Sequence, residues 1–316
     1  MLAWLSCVVP VKDEQREVLL GVANMVDFAR HNTFLGVTVG RYANRIKQGC
    51  FTIEGQFYQL ETNQLGNTLH GGPDGFDKRR WQISEQNNNS VTFSLLSSHG
   101  DQGFPGELQV SVCYCLTEDN QLNIGYQAST TKATLVNLTN HAYFNLMGAE
   151  SGIDCKTHRL YINADRYLPT DDQGIPLGDF TNVKGTSFNF LEPKNITQDF
   201  LVDAQQQGAK GYDHSFILNK TSQKGDCVAE VFAPDDSIKM KVYTTKPALQ
   251  FYTGNWLAGT PNRLGGEYKD YAGLALETQF LPDSPNHPEW EQPSPILNIG
   301  EEYAYQTSYQ FIENHE

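Results

Sequence analysis

Five stretches of the sequence concentrate side chains that can move protons or hold polar ligands. They are GRYANRI (Gly40–Ile46), NTLHGGPDGF (Asn67–Phe76), NLTNHAYFNL (Asn137–Leu146), GYDHSF (Gly211–Phe216) and PDSPNHPEW (Pro282–Trp290). Each is dense in Asn, His, Asp, Arg and Gly. A buried polar group needs a partner, so such clusters build a polar pocket or pin a long loop. Just before the last of them, Glu277 sits in GLALETQF (Gly273–Phe280). Strand parity puts Ala275, Glu277 and Gln279 on one side, and Leu274, Leu276 and Thr278 on the other. A carboxylate in an otherwise apolar strand is either solvated or lines a pocket. His141 shares a face with Asn137 and Thr139, and reads either as a structural hydrogen-bonding group or as an acid/base. His70 precedes Gly71 and Gly72, which permit close backbone approach to a ligand; the plainer reading is a turn histidine. A Glu and a His differ in protonation near neutral pH, as paired general acid/base work requires.

These residues must be positioned by strands, because alternation dominates the chain. Leu108, Val110, Val112, Tyr114 and Leu116 share one face, as do Leu122, Ile124, Tyr126 and Ala128. Glu118-Asp119-Asn120 between them predicts a hairpin. Further strands are expected over Val91–Leu96, Thr134–His141, Arg159–Asn163, Ser215–Leu218, Ala229–Phe232, Ile238–Thr244, Ala248–Tyr252, Gly273–Phe280 and Glu302–Phe311. Short helices are expected over Val22–Arg30 and Ile196–Gln206, the latter capped by Asn195. Aromatics make up 11% of the 316 residues, with 27 Gly and 14 Pro, a β-type composition. The expected fold is all-β: one large antiparallel β-sandwich with few short helices, residues 1–316 forming a single domain.

Lys and Arg total 23 against 37 Asp and Glu, for a net charge of −14. That argues against nucleic acid or an anionic membrane as the partner. The N-terminal run Met1–Val11 is too short to span a bilayer and lacks the flanks of a signal peptide; it reads as a buried opening strand. The six cysteines form no C-x-x-C pair, and Cys113 and Cys115 point to one face of a strand, too extended for an easy disulfide. Reduced thiols in a cytoplasmic protein account for them. No H-E-x-x-H, EF-hand or P-loop pattern occurs, and no metal site or cofactor is expected. Lys78, Arg79 and Arg80 form a basic run, read as a solvated face or, alternatively, as part of a sugar-phosphate pocket.

The motifs together resemble the aldose 1-epimerase (galactose mutarotase) family. The matching pieces run in order: LGVTVGRYANRI, NTLHGG with GFDKRRW, DQGFPG, NHAYFNL, YLPTD, GTSFNF, GYDHSF, LQFYTGN, LETQFLPDSPNHPEW and GEEY. The resemblance implies a galactose mutarotase-like sandwich with a sugar site on a concave sheet surface. It implies interconversion of the α and β anomers of free hexoses, glucose and galactose among them, with neither metal nor organic cofactor. It makes Glu277 the catalytic base and His141 the acid that protonates the ring oxygen. It makes His70, Asn44, Arg45, Asp213 and Gln250 sugar-binding residues; His214, adjoining Asp213, points the other way and is structural. Family members usually carry an N-terminal stretch ahead of the segment equivalent to Leu2–Pro10, so the family's first strands are expected to be missing here. Alternatives are a non-catalytic carbohydrate-binding module, a hexose-phosphate epimerase, or a glycosidase or lyase; an inverting glycosidase would want a second carboxylate across the scissile bond. Monomer and homodimer both suit the acidic surface.

Overall fold

The computed structural model describes residues 1–220 and 225–314. The alternation of the central hairpin does what its sequence predicts. Leu108–Leu116 pairs antiparallel with Gln121–Thr130, in register from Leu108↔Thr130 to Leu116↔Leu122. Val110, Val112, Ile124 and Tyr126 are buried on the inward face. This hairpin lies within a nine-stranded sheet. Its order is Lys194–Asn195, Arg159–Ile162, Cys227–Phe232, Ile238–Thr244, Tyr303–Glu313, Gln121–Thr130, Leu108–Leu116, Ser90–Ser97 and Gln82–Gln86.

A six-stranded sheet faces it, ordered Tyr143–Phe144, Leu274–Gln279, Ala248–Tyr252, Asp213–Ile217, Arg166–Leu168 and Thr181–Asn182. Every pairing in the two sheets is antiparallel. One apolar cluster fills the space between them, drawing Val112, Ile124, Met240 and Tyr309 from the first sheet and Phe216, Leu249, Phe251, Leu274 and Leu276 from the second. Two sheets closing over a shared core is the sandwich architecture. The smaller sheet is therefore apolar on its inner face, and its outer face is free to carry polar chemistry.

Several elements differ from the sequence pattern. The run Thr134–His141 is broken into Thr134–Leu135, paired with Ile296–Leu297, and Thr139–Asn140, paired with Thr38–Val39. Two partners at different places cannot be served by one straight strand. The first helix covers Met25–Ala29 rather than Val22–Arg30, because Asn24 is its cap and accepts from the Val26 and Asp27 N–H groups. The expected helix Ile196–Gln206 is two pieces, a 3₁₀ turn at Ile196–Asp199 and a helix at Ala204–Ala209. Asn195 makes no side-chain cap; Asp203 caps the second piece through Gln206 N–H. The opening apolar run forms strand only over Val8–Val11, with Val9 and Val11 buried and Val8 exposed. All six cysteines are free. Among the described residues no helix is long and apolar enough to cross a membrane.

Candidate active site

The floor of the site is written in the register of the smaller sheet. Glu277 lies opposite Gln250, and Gln250 opposite Ser215; Tyr252 lies between Ala275 and Asp213. Opposed residues point to the same side of a sheet and the intervening ones to the other. Leu274, Leu276, Leu249, Phe251 and Phe216 thus enter the core, and His214 follows them to pack on Phe188 at 4.7 Å. Asp213, Ser215, Gln250, Tyr252 and Glu277 occupy the opposite face. A cavity of about 350 Å³ stands over it, lined by Glu277, His141, His70, Asp213, Arg45 and Asn44, with Tyr143, Tyr252, Phe34 and Trp256 as aromatic walls.

His141 follows the short strand Thr139–Asn140. Its N–H donates to the Val37 carbonyl and its own carbonyl accepts from Gly36 N–H, both at 2.9 Å. These bonds aim the ring at the cavity, with Nε2 3.4 Å from Glu277 Oε1. Tyr143 packs on the same imidazole at 4.8 Å between ring centroids. His70 comes from the other side. Its backbone φ is 53°, and Gly71 and Gly72 follow at 89° and 100°. A side chain on Gly71 would place its Cβ 2.0 Å from the Gly40 carbonyl oxygen, so the turn closes only on glycine. His70 and Asn44 lock to each other. The His70 N–H donates to the Asn44 carbonyl, and the Asn44 N–H donates to His70 Nδ1, each at 3.1 Å. An accepting Nδ1 leaves the ring proton on Nε2.

The third side of the cavity is ionic. Arg45 Nη2 lies 3.6 Å from Asp213 Oδ2, and Arg45 Nε donates to Gln64 Oε1 at 2.8 Å. Gln250 Nε2 donates to Asp213 Oδ1 at 2.6 Å, while the Ser215 hydroxyl donates to Gln250 Oε1. Gln250 is 2% exposed and is not among the lining residues; it sits behind Asp213 and orients it. The other six residues singled out in the sequence all line the cavity, although they span positions 44 to 277.

Burial sets the electrostatics. It pushes the Glu277 carboxyl well above the usual range; the Asp213 charge adds to this and Arg45 opposes it. It pushes His141 down to about 4, against smaller opposing effects of its own backbone and of Asp213. His70 is also held well below 6.5, by burial first and then by His141 and Arg45. Burial thus disfavours the charged form of both Glu277 and His141, and the form in which the pair shares one proton carries no net charge. Such a pair can take a proton from one atom of a ligand and give one to another without changing its total.

His70, His141 and Glu277 also offer three donor atoms within 4.8 Å of one another. The set does not fit a metal ion well. His70 Nδ1 already uses its lone pair on Asn44 N–H, and the other nitrogen carries the proton.

What the sequence did not reveal is the aromatic wall. Tyr143, Tyr252 and Phe34 read as ordinary β-sandwich aromatics. Trp256, 65% exposed at the mouth with Lys210 Nζ 4.3 Å from its ring centroid, carries no motif of its own.

Sandwich and cavity together present a Glu–His pair and an Arg–Asp pair to a space suited to a small polar ligand. The sequence profile of the family described as Aldose 1-epimerase matches residues 3–310, and the chain belongs to that family. It is 51% identical over 309 residues to an aldose 1-epimerase of Escherichia coli K12, covering 98% of this chain and 89% of the relative. It is 40% identical over 308 residues to the galactose mutarotase of Homo sapiens, with coverage of 95% and 86%. The fold superposes on an aldose epimerase homologue from C. elegans with a TM-score of 0.90 at 27% identity, covering 99% and 93% of the two chains.

Proposed function

We propose that this protein is an aldose 1-epimerase that interconverts the α and β anomers of free hexoses, galactose and glucose among them, with Glu277 and His141 as the proton-transferring pair. The observation that carries the reading is the 3.4 Å approach of Glu277 Oε1 to His141 Nε2 on the floor of a hydroxyl-binding cavity. In the opening step Glu277 takes the proton of the anomeric hydroxyl and His141 gives one to the ring oxygen. The C1–O5 bond breaks and the open aldehyde forms. Rotation about C1–C2 presents the other carbonyl face. On reclosure the roles exchange: His141 recovers the proton from the O5 hydroxyl as it attacks, and Glu277 returns one to the new anomeric oxygen. Protons balance over the cycle, and no cofactor is consumed. The reaction uses the Glu277 carboxylate with the His141 imidazolium, one of the two placements of the single shared proton.

Asp213 and Arg45 flank the pair and match vicinal hydroxyls, the carboxylate accepting and the guanidinium donating. Gln250 and Ser215 keep Asp213 turned toward the sugar. His70, with its proton on Nε2, adds a neutral donor beside the reacting centre. The basic run supports a free sugar over a sugar phosphate. Arg79 pairs with Asp74 and Asp101, Lys78 donates to the Pro73 carbonyl, and none of the three residues lines the catalytic cavity. The continuous core between the sheets supports a single domain, and six free thiols support a cytoplasmic location. Polarimetry on freshly dissolved α-galactose tests the function. Accelerated decay of rotation to the equilibrium value is expected. Sugar binding without acceleration would instead favour a carbohydrate-binding module.

A further inference from the structure

Phe34 lies just ahead of the Leu35–Ile46 stretch and has no role in the chemistry above. Its φ is 59°, in the left-handed region that an aromatic residue enters only when its surroundings hold it there. What holds it is the anchoring of the three residues that follow. Leu35 is fully buried, Gly36 N–H donates to the His141 carbonyl at 2.9 Å, and Val37 N–H donates to the Phe34 carbonyl at 3.3 Å. Phe34 is thus bonded to Val37, and Gly36 and Val37 are bonded to the peptide of His141.

Its ring then meets both imidazoles. It stands edge-to-face with His70 at 4.7 Å and 63°, and stacks on His141 at 5.8 Å and 26°. The two imidazoles lie 5.4 Å apart at 82° to each other. All three separations fall in the range where aromatic rings attract with a preferred orientation. Phe34 also lines two spaces, together with Asn32, Gln64 and Leu69. One is the catalytic cavity. The other, of about 580 Å³, is lined by Phe28, His31, Asn63, Asp77 and Lys78.

We propose that Phe34 is a positioning residue: its ring fixes the mutual angle of His70 and His141. The inference rests on the reading of His141 as a proton-transferring group. The other groups that face this imidazole are Glu277, Asp213, Tyr252, Tyr143 and His70. An apolar residue of similar bulk would fill the space without orienting a ring, which separates positioning from packing.

The test compares Phe34→Leu with Phe34→Tyr in the full chain, by polarimetric kcat and KM on α-galactose and by urea unfolding. Phe34→Leu, which keeps the apolar bulk, is expected to lower kcat about 10- to 100-fold, the scale of a misplaced catalytic group. KM should stay within about threefold, because the sugar contacts remain. Phe34→Tyr keeps the ring and should keep kcat. Phe34→Met is a second ringless variant, so failure of one variant to fold leaves the comparison intact. Wild-type kcat in either folded ringless variant, or Phe34→Tyr as impaired as Phe34→Leu, would overturn the proposal. His141→Asn, measured alongside, separates the two levels. If that variant keeps its activity, the reading of the site fails. If it loses activity while Phe34→Leu does not, only the positioning role fails.

Discussion

Arg41 and Arg45 stand four residues apart in one motif, yet they do opposite jobs, and replacing Arg41 by Lys exposes the difference. Arg41 is 2% exposed and holds the 97–106 segment against the strand that leads to the site. Nε donates to Ser97 Oγ at 2.9 Å, Nη1 to the Pro105 and Gly106 carbonyls at 3.0 Å each, and Nη2 to the Ser97 and Ser98 carbonyls at 2.8 Å each. Burial pulls its pKa down to about 10, with Asp101 opposing, so it remains charged at pH 7. A lysine keeps the charge but offers three donors from one point instead of five from a planar fork. At least two of the five acceptors therefore lose their donor. At about 1.5–3 kcal/mol for each bond to a charged group, Arg41→Lys should cost about 3–6 kcal/mol. With a urea m-value near ~3 kcal/mol/M, the midpoint falls by about 1–2 M. The assay is urea unfolding followed by far-UV circular dichroism, with refolding checked from the top of the curve. A midpoint within about 0.3 M of wild type, at unchanged m, would refute the reasoning.

Three further outcomes are expected. Glu277→Gln and His141→Asn should each lower kcat by about 10²–10⁴-fold while sugar binding survives, and the double variant should lose much less than the product of the two. Polarimetry with calorimetric binding decides both points. The pH profile of kcat/KM should be bell-shaped, because the competent pair carries one proton. Activity falls below about pH 4, where a second proton binds the pair. It falls again above the raised pKa that burial gives Glu277, where the last proton leaves. Lys246 is fully buried, hydrogen-bonded to the Tyr303 hydroxyl and boxed by the rings of Phe280, Tyr303 and Tyr305, and burial drives its pKa well below 10.5. Over the window between the folded and unfolded pKa the unfolded chain binds the extra proton, so stability rises with pH there. Lys246→Met should raise the urea midpoint at pH 7 and flatten that slope; an unchanged slope counts against a neutral buried amine.

Much of this could be read from the chain because strand parity is a strict code. Ala275 and Glu277 alternate with Leu274 and Leu276, and the sheet obeys that alternation, so the carboxylate had to leave the core. His214 was legible for the same reason. What parity cannot report is depth. Gln250 lies on the correct face but one layer below the cavity, because Asp213 reaches over it. Nor does spacing say which arginine of GRYANRI turns inward to brace a loop and which lines the cavity. The aromatic wall stayed hidden because Tyr143, Tyr252 and Phe34 have the composition of any sandwich core. The two helices were overextended because the caps that end them, Asn24 and Asp203, compete with other polar residues nearby in sequence.

The two halves of the cavity are anchored to very different amounts of structure. Ala248–Tyr252 is hydrogen-bonded on both sides, to Asp213–Ile217 and to Leu274–Gln279. The opposite rim has a ladder of only two residues, Arg45–Ile46 against Thr68–Leu69, supplemented by the Asn44–His70 bonds and by single backbone bonds to Asn137 and Asp283. Amide protons of the floor therefore exchange with solvent through the cooperative opening of the sheet, whereas those of the rim exchange through small local openings. A sugar bridging Asp213 to Arg45 and His70 clamps the weaker ladder to the stronger one. The free energy of binding then appears as slowed exchange at the rim, growing with ligand concentration as RT ln(1 + [L]/Kd), while the floor shows it only through the stability of the whole fold. Substrate occupancy is thus readable residue by residue at the Ile46 and His70 amides, in the backbone of the rim rather than at an atom that reacts.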